Sequence, residues 1–462
     1  MSKTIRFNAF QMNTVGHQSP GLWTHPRDTS HRYTDPRHWI ELAQLLEAGR
    51  FDAIFLADVL GVYDVYQGGL DAALRGGVQV PLNDPLALVP LMAQATTRLG
   101  FGVTCALTYE HPYSFARRLS TLDHLTGGRI GWNIVTGYLD SAARNLGLER
   151  QLGHDERYDL ADEYLDVVYK LWEKSWDDDA VVNDKARGVY AEPSRVHPIN
   201  HAGRYYRVPG IHLCEPSPQR TPLLYQAGTS ARGTAFAARH AECTFVSGPS
   251  KAVVKRYADD LRAAVGAAGR DGEALLIYAQ ALVVTGATAA EAQAKYEEYR
   301  GHVDIEAALA LLSGWTGVDF SRFPLDATID YIESDAGRSA LASFSQADPD
   351  RKWTVREAAE FIGIGGRGPV FVGDPAQVAD QLESWMDDTG IDGFNLAFAV
   401  AHESMRDVVE LIVPELQRRG RYRKEYGDGA LRQQLFGQGP RLPAAHPGRQ
   451  VRIDAAETVS ID

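Results

Sequence analysis

Polar side chains stand at the ends of several short apolar runs in this sequence, and their types suit a cofactor or catalytic site. Asp58 ends one such run, Thr104 lies near the end of the next, and Asn133 lies in the third. In a barrel of parallel strands the active site forms at the carboxyl ends of the strands, so these residues are candidates before any motif is considered. For Asp58, a helix N-cap or a loop hydrogen bond is the alternative.

A second group of residues has the pattern of a phosphate site. Gly228 and Ser230 follow a short apolar run and precede a helical pattern, and a glycine turn before a helix lets backbone amides and the helix dipole face an anion. His154 and Tyr158 are spaced i, i+4 at the start of another helical pattern, so they lie on one face and could add side chains to the same site. An ordinary N-cap at Ser230 is the alternative.

The elements that must position these residues alternate along the chain. Short β-branched or aromatic runs are separated by longer helical patterns, which is typical of βα units around a parallel sheet. The eight runs are residues 5–11, 52–58, 99–107, 129–135, 223–227, 242–247, 275–285 and 393–400. Eight such units predict an α/β fold, a (β/α)₈ TIM barrel, because open doubly wound sheets usually have about six strands.

The chain is longer than a minimal barrel of about 250 residues. We assign the excess mainly to long insertions after strands 4 and 7, at about residues 176–222 and 287–392, and to a C-terminal extension over residues 421–462. Residues 1–420 are then one barrel domain. Long connections of this kind are usually lids or binding loops, so we expect both insertions to cover the active site.

Composition limits the partners and the compartment. The 462 residues include 47 Lys plus Arg against 60 Asp plus Glu, and the net charge of −13 disfavours binding to nucleic acid or to an anionic membrane surface. No stretch approaches the ~18 apolar residues that a membrane span needs. Three scattered cysteines form no disulfide framework, so we predict a cytoplasmic protein.

Two motifs point to other chemistry and are rejected. Residues 363–368 read G-I-G-G-R-G and match a dinucleotide-binding fingerprint, but a helical pattern precedes them and Pro369 follows. We therefore predict a flexible linker there. Two His and two Cys in residues 212–243 could be drawn as a zinc site, but the close Cys pairs of structural zinc sites are lacking, so no metal is predicted.

Several stretches together resemble one enzyme family. They are residues 16–19 (GHQS), 22–23 (LW), 51–58 (FDAIFLAD), 109–113 (YEHPY), 120–126 (STLDHLT), 131–136 (GWNIVT), 141–145 (SAARN), 154–158 (HDERY) and 225–228 (YQAG). The chain resembles the nitrilotriacetate monooxygenase branch of the bacterial-luciferase-like flavin monooxygenases over residues 5–420. That branch includes dibenzothiophene sulfone, EDTA and dimethyl sulfide monooxygenases, and the N-terminal half is most similar to the dimethyl sulfide type.

The resemblance implies the oxygenase component of a two-component system. Reduced FMN would come from a separate NAD(P)H:flavin reductase, and dioxygen would be the co-substrate. One oxygen atom would be inserted into a small organic substrate through a C4a-(hydro)peroxyflavin. We expect an organosulfur compound of the dimethyl sulfide or sulfone type. A homodimer or homotetramer is also expected.

The resemblance also implies roles for individual residues. Tyr158 and Ser230 would contact the FMN phosphate, and Asp58 and Thr104 the isoalloxazine ring. His154, Asn133 and Gly228 complete the predicted FMN contacts. A non-proline cis peptide is expected near residues 104–105.

His17 and His111 lie on loops expected at the barrel mouth. They are our candidates for proton transfer, with a structural hydrogen bond as the alternative for each. Three other functions stay open: an aminopolycarboxylate monooxygenase, a deazaflavin-dependent oxidoreductase, and a flavin-binding protein without catalysis.

Overall fold

The computed structural model describes residues 3–228, 230–329 and 352–453, and within them eight parallel strands form a closed barrel. The strands are β1 (Arg6–Met12), β2 (Ala53–Ala57), β3 (Gly100–Ala106), β4 (Ile130–Val135), β5 (Leu223–Ala227), β6 (Cys243–Val246), β7 (Leu276–Thr285) and β8 (Gly393–Ala397). Each strand pairs with the next one in sequence, and β8 pairs with β1 to close the ring. The predicted (β/α)₈ barrel is confirmed.

Helices surround and extend this barrel. They are α1 (Pro36–Ala48), α2 (Asp71–Gly76), α3 (Val89–Gln94), α4 (Pro112–Thr126), α5 (Asp140–Asn145), α6 (His154–Tyr169), α7 (Ala231–His240), α8 (Lys251–Ala267), α9 (Ala289–Arg300), α10 (Ile305–Thr316), α11 (Val355–Ile362), α12 (Pro375–Thr389), α13 (Glu403–Asp407), α14 (Val413–Arg418), α15 (Leu431–Phe436) and α16 (Pro447–Gln450). None of the helices described is long and apolar enough to cross a membrane.

The strands read as apolar runs because both of their faces are buried. Every residue of β7 is buried, for example. On the outer face, Trp132 of β4 packs against Phe115 of α4, with ring centroids 4.6 Å apart. On the inner face, Tyr225 and Phe245 stack at 5.5 Å and fill the barrel. The barrel interior is therefore a packed core below the site.

The first insertion, residues 176–222, lies on the outer wall of the barrel, and its predicted role as a lid is wrong. It forms two short antiparallel pairs, Val181–Asp184 with Val189–Ala191 and His201–Ala202 with Arg207–Val208. Gln219 donates to Asp123 of α4, and Glu163 of α6 accepts from the amide of Tyr206. The physical reason is that the insertion follows α6, so it begins at the end of the barrel opposite the mouth.

The second insertion, residues 287–392, begins directly after β7, at the carboxyl end of the barrel. It contains α9 to α12 and a short strand, Val370–Gly373, that pairs with the distal half of β7. Helix α10 packs beside α2, and Gly314 of α10 lies against the Tyr63 ring, where a Cβ would come within 1.8 Å of Cδ1. This insertion therefore covers the mouth. Residues 330–351 lie outside the described residues.

The C-terminal extension closes the opposite end of the barrel. Leu431 of α15 donates its backbone N–H to the Gly128 carbonyl, and its side chain lies beside Gly100 at the start of β3. Arg432 forms a buried ion pair with Glu242, at 2.6 Å between Nε and Oε1. Residues 454–462 lie outside the described residues, and the domain boundary at residue 420 stays a prediction.

Candidate functional site

Three adjoining cavities open at the carboxyl ends of the strands. We name them the central cavity (about 280 Å³), the cradle cavity (about 270 Å³) and the acidic cavity (about 630 Å³). Asp58 and Val59 line all three, and Gly228 lines both the central and the cradle cavity. The three cavities therefore adjoin one another at the end of β2.

The cradle cavity presents hydrogen-bond donors at a helix N-terminus. Ser230 caps α7, where its Oγ accepts from Gly233 N at 3.1 Å, and His154 Nε2 lies 3.3 Å from the same Oγ. A Cβ on Gly233 would lie 2.8 Å from the Tyr158 hydroxyl, so only glycine leaves that space. Burial raises the pKa of Tyr158, which therefore stays a neutral donor. Hydroxyls, an imidazole and helix amides are the groups that bind phosphate.

The central cavity contains the predicted ring-binding residues. Thr104 Oγ1 accepts from Asn133 Nδ2 at 2.9 Å, and Asn133 Oδ1 is buried without a hydrogen-bond partner among the described residues. Asp58 follows β2, and burial, with a smaller contribution from Asp84, raises the pKa of its carboxyl to about 7. An orphaned amide oxygen and a protonatable carboxyl suit the polar edge of a flat heteroaromatic ring. These residues fit FMN.

The two predicted catalytic histidines lie in different places. His17 lines the central cavity and is buried; its Nε2 accepts from the Gln18 amide at 3.1 Å, and burial lowers its pKa to about 3. It is therefore a neutral imidazole at physiological pH. His111 is exposed, lines none of the three cavities, and caps α4 by accepting from Tyr113 N at 3.3 Å. Proton transfer by either residue stays a prediction.

The structure thus brings eight of the nine predicted site residues to these cavities and leaves His111 on the outer wall, where its ring lies 5.7 Å from that of Tyr206. The expected cis peptide is not at residues 104–105. Within the described ranges, the cis bonds precede Pro81 and His402.

A polar wall of the central cavity was missed by the sequence analysis. Tyr63 donates to Gln79 Oε1 at 2.9 Å, and the hydroxyls of Tyr63 and Tyr138 are 2.9 Å apart. Gln79 Nε2 in turn donates to the His17 carbonyl at 3.2 Å. Trp315 of α10 completes this wall. Most of these residues lie in connecting segments. Periodicity predicts strands and helices, but it does not predict where such segments lie.

The glycine run at residues 363–368 is a tight buried turn, so the predicted flexible linker is wrong. Gly365 accepts from Gln280 Nε2 at 2.7 Å and donates its N–H to Ser19 Oγ at 3.1 Å. The turn brings Arg367 to the central cavity, where its guanidinium lies 5.4 Å from the centre of the Trp315 ring. Contacts with β7 and with the loop after β1, distant in sequence, hold the turn in place.

Comparison with known families agrees with this site. Residues 16–393 match the family described as luciferase-like monooxygenase. The chain is 50% identical over 453 residues to the dimethyl-sulfide monooxygenase of Hyphomicrobium sulfonivorans, covering 98% of this chain and 94% of that protein. It is 49% identical over 453 residues to the long-chain alkane monooxygenase of Geobacillus thermodenitrificans, covering 98% and 99%.

Solved structures show the same relationship. The crystal structure of DmoA from Hyphomicrobium sulfonivorans superposes with a TM-score of 0.91 at 50% identity, covering 97% of this chain and 96% of that one. The riboflavin lyase RcaE, solved with modified FMN and the substrate riboflavin, superposes with a TM-score of 0.91 at 34% identity, covering 98% and 100%. The family resemblance drawn from the sequence motifs is confirmed.

Proposed function

Because this chain belongs to the luciferase-like monooxygenase family, we propose that it is the oxygenase component of a two-component, reduced-FMN-dependent monooxygenase. The observation that carries the proposal is the junction of a phosphate-type cradle with a ring-type cavity at Gly228 and Asp58. FMN has the same arrangement, a phosphate joined by a ribityl chain to a flat ring. Reduced FMN, when bound, supplies the electrons with which dioxygen is activated for transfer of one oxygen atom.

The residues of this chain hold the two ends of that cofactor. Ser230, Tyr158 and the N-terminus of α7 would bind the phosphate, with His154 beside them. Asn133 Oδ1 would accept from a ring N–H, and Thr104 keeps the Asn133 side chain oriented through its hydrogen bond. Asp58 would hold a proton near the ring, because the raised pKa of its carboxyl keeps a fraction protonated near neutral pH.

The second insertion would shelter the reacting atoms from water. Trp315 of α10 and the Tyr63–Tyr138 pair line the side of the central cavity that faces the second insertion. Oxygen-transfer chemistry needs such shelter, because water competes with the substrate and dissipates reactive species. His17 stays neutral there, so it can orient a group without adding charge.

We propose a small organosulfur compound as the substrate. The relatives named for a small sulfide and for a long alkane are almost equally similar to this chain, so identity does not separate them. The central cavity favours the smaller substrate, because its volume of about 280 Å³ would also have to take the flavin ring and part of its wall carries polar groups such as Gln79 and Tyr138. A long apolar chain would lie against these polar groups without bonding to them, whereas a small polar substrate could accept or donate a further hydrogen bond there.

A separate flavin reductase would supply the reduced FMN. The glycine run that most resembles a dinucleotide-binding fingerprint instead forms the turn around Arg367. We further propose a cytoplasmic homodimer or homotetramer. Cys105, Cys214 and Cys243 are all free thiols, as a reducing compartment requires.

Reconstitution tests the reaction. The protein is mixed with FMN, NADH, a purified flavin reductase and dimethyl sulfide, and labelled dioxygen is followed into the product. We expect one labelled oxygen atom in an oxygenated sulfur product. Oxygen consumption that yields only hydrogen peroxide with every sulfide offered would overturn the substrate class, and preferential binding of a deazaflavin would overturn the cofactor.

A matched pair of variants tests the cofactor site. Tyr158→Phe removes a hydroxyl from the cradle, and we expect FMN affinity to fall by at least about tenfold, since a hydrogen bond to a charged group contributes roughly 1.5–3 kcal/mol. Tyr190→Phe removes an exposed hydroxyl that bonds Glu215 at 3.0 Å, and should leave FMN affinity unchanged. Equal affinities for the two variants in a flavin fluorescence titration would contradict the assignment of the cradle.

A further inference from the structure

Arg367 is a cation in the wall of the central cavity, and none of the residues described is its polar partner. It forms no hydrogen bond or ion pair with any of the residues described, and its one contact of note is the Trp315 ring at 5.4 Å. The side chain is only partly accessible, and because it lines the cavity its accessible part faces the cavity. A guanidinium carries five N–H donors, and leaving them unpaired inside a protein is costly.

The backbone of the turn that contains Arg367 is held in one position by its contacts. Gly366 has a φ of +70°, and a Cβ there would lie 2.0 Å from Gln18 Oε1. Gln280 Nε2 bonds both Gln18 Oε1 at 3.0 Å and the Gly365 carbonyl at 2.7 Å. The backbone next to Arg367 is therefore pinned to β7 and to the loop after β1. Such placement is typical of a functional residue held on a rigid support.

The charges around the three cavities are unevenly distributed. Asp84 and Glu110 line the acidic cavity, where Arg118 pairs with Glu110 at 2.6 Å. Arg367 lies in the wall of the central cavity, beside the neutral hydroxyls of Tyr63 and Tyr138. Asp58 lines this cavity too, but burial raises the pKa of its carboxyl to about 7, so it is partly protonated near neutral pH. Burial lowers the pKa of Arg367, so an anion bound beside it would stabilise its charged form. An anion would be repelled from the acidic cavity and attracted to Arg367.

We propose that Arg367 anchors an anionic oxygen group of the substrate, either a carboxylate or a sulfonate. The planar fork of the guanidinium would bind two oxygens of that group, and the Tyr63 or Tyr138 hydroxyl can add a further hydrogen bond. The substrate class is thus narrowed to small organosulfur acids, with the acid group at Arg367 and the sulfur toward the flavin ring. That the sulfur atom is oxygenated rests on the proposed function, whereas the binding of the acid group at Arg367 does not.

Binding is tested first, because it needs no turnover. The probes are (methylthio)acetate and its neutral amide, titrated calorimetrically into the intact protein. We expect the wild type to bind the acid at least about tenfold more tightly than the amide, as charge-assisted hydrogen bonds to a fork predict. Arg367→Gln should abolish the preference, and Arg367→Lys should retain part of it. Arg195→Gln, which removes an exposed arginine paired with Asp179, is the matched control and should change nothing.

A parallel titration with acetate and with methanesulfonate identifies the acid group, since the tighter binder shows which anion the fork fits. Equal affinities of acid and amide in the wild type would overturn the proposal. So would a preference for the acid that survives Arg367→Gln. Thermal melting of each variant separates a loss of fold from a loss of binding. If Arg367→Gln does not fold, Arg367→Lys still tests the proposal, because it keeps the positive charge but lacks the planar fork.

Turnover separates this proposal from the proposed function. With reductase, FMN and NADH present, Arg367→Gln should raise KM for (methylthio)acetate about 10- to 100-fold, with KM for the amide nearly unchanged. Acid binding that depends on Arg367 without any oxygenated product would leave the subsite standing and overturn the monooxygenase proposal. If both probes are oxygenated, with the same KM in the wild type and in Arg367→Gln, the monooxygenase proposal stands and the proposed subsite is overturned. A fall in FMN affinity alone would assign Arg367 to the cofactor and overturn the subsite.

Discussion

Two clusters of buried polar groups, one at each end of this barrel, differ in how their hydrogen bonds are satisfied. At the end closed by α15, Arg432 donates to both oxygens of Glu242 and to the Thr221 and Pro222 carbonyls, so each charge is paired. At the mouth, Asn133 Oδ1 and His17 Nδ1 have no partner among the residues described. The paired groups of the Arg432–Glu242 cluster stabilise the fold by themselves, whereas the unpaired groups at the mouth can still accept or donate a hydrogen bond to a bound ligand. This contrast between the Arg432–Glu242 cluster and the cavity residues agrees with a ligand site at the mouth.

Removing one partner at the closed end should have the largest effect on stability. Arg432→Met leaves Glu242 buried and unpaired, and we expect the free energy of unfolding to fall by about 3–5 kcal/mol. Arg418→Met is the matched control: its ion pair with Glu415 has a similar geometry, but the arginine is 71% exposed, so the loss should stay below about 1 kcal/mol. Urea unfolding measures both. Equal losses would mean that burial does not distinguish the pairs.

The glycine turn at the mouth tests whether the open end also stores conformational strain. Gly366→Ala combines a positive φ with a close approach to Gln18, and should cost about 2 kcal/mol and weaken the preference for acidic ligands. Gly437 has a similar φ of +67° with nothing near its Cβ position, so Gly437→Ala isolates the backbone cost of about 1 kcal/mol. If the two variants lose the same stability, the contact with Gln18 contributes nothing.

Asp58 gives the mouth a pH dependence of stability. The pKa of its carboxyl rises to about 7 in the folded state, above its value in the unfolded chain, so the folded state binds the extra proton. Its contribution to stability is complete at low pH and is lost as pH rises from about 4 through about 7. A carboxyl fully sealed from solvent would lose about 4 kcal/mol over this window; because Asp58 is partly exposed to the cavity, we expect wild type to lose about 1–2 kcal/mol relative to Asp58→Asn. Unfolding curves at several pH values check this, with Asp259→Asn as an exposed control.

A pair of tyrosine variants should show the smallest change in stability and the clearest contrast in function. Tyr63→Phe removes the hydroxyl that joins Gln79 to Tyr138 at the mouth. Tyr426→Phe removes a hydroxyl that donates to the Phe51 carbonyl at 2.8 Å at the closed end. Each should cost about 1 kcal/mol or less, but only Tyr63→Phe should lower the yield of oxygenated product per NADH. A lower yield in Tyr426→Phe as well would show that the effect is not specific to the mouth of the barrel.

The strands were predictable because their signal is local. Apolar runs such as that of β5, predicted with its observed bounds, are buried on both faces, and Asp58, Thr104 and Asn133 follow from the rule that strand ends form the site. Arg367 was not predictable, because its position depends on contacts of Gly365 and Gly366 with residues over 80 positions away. A glycine run bounded by a helix and a proline carries no sign of those partners.

The insertions were found by length, but their positions depended on where each one leaves the barrel. Residues 176–222 follow a helix and therefore emerge at the closed end, whereas α9 and α10 follow β7 and emerge at the mouth. His111 was misplaced for a related reason. It follows β3 closely, yet it caps α4 and lies beside the first insertion. In a barrel, the element before an insertion is a better guide than its length.

The ion pair between Arg432 and Glu242 also has a consequence for how the protein is made. The two residues are 190 positions apart, so during synthesis Glu242 leaves the ribosome long before its partner exists. Until residue 432 emerges, the closed end of the nascent barrel has an unpaired carboxylate that favours hydration over burial. Assembly of that end is therefore tied to late translation, and chains released before residue 432 are expected to be substrates for cellular quality control.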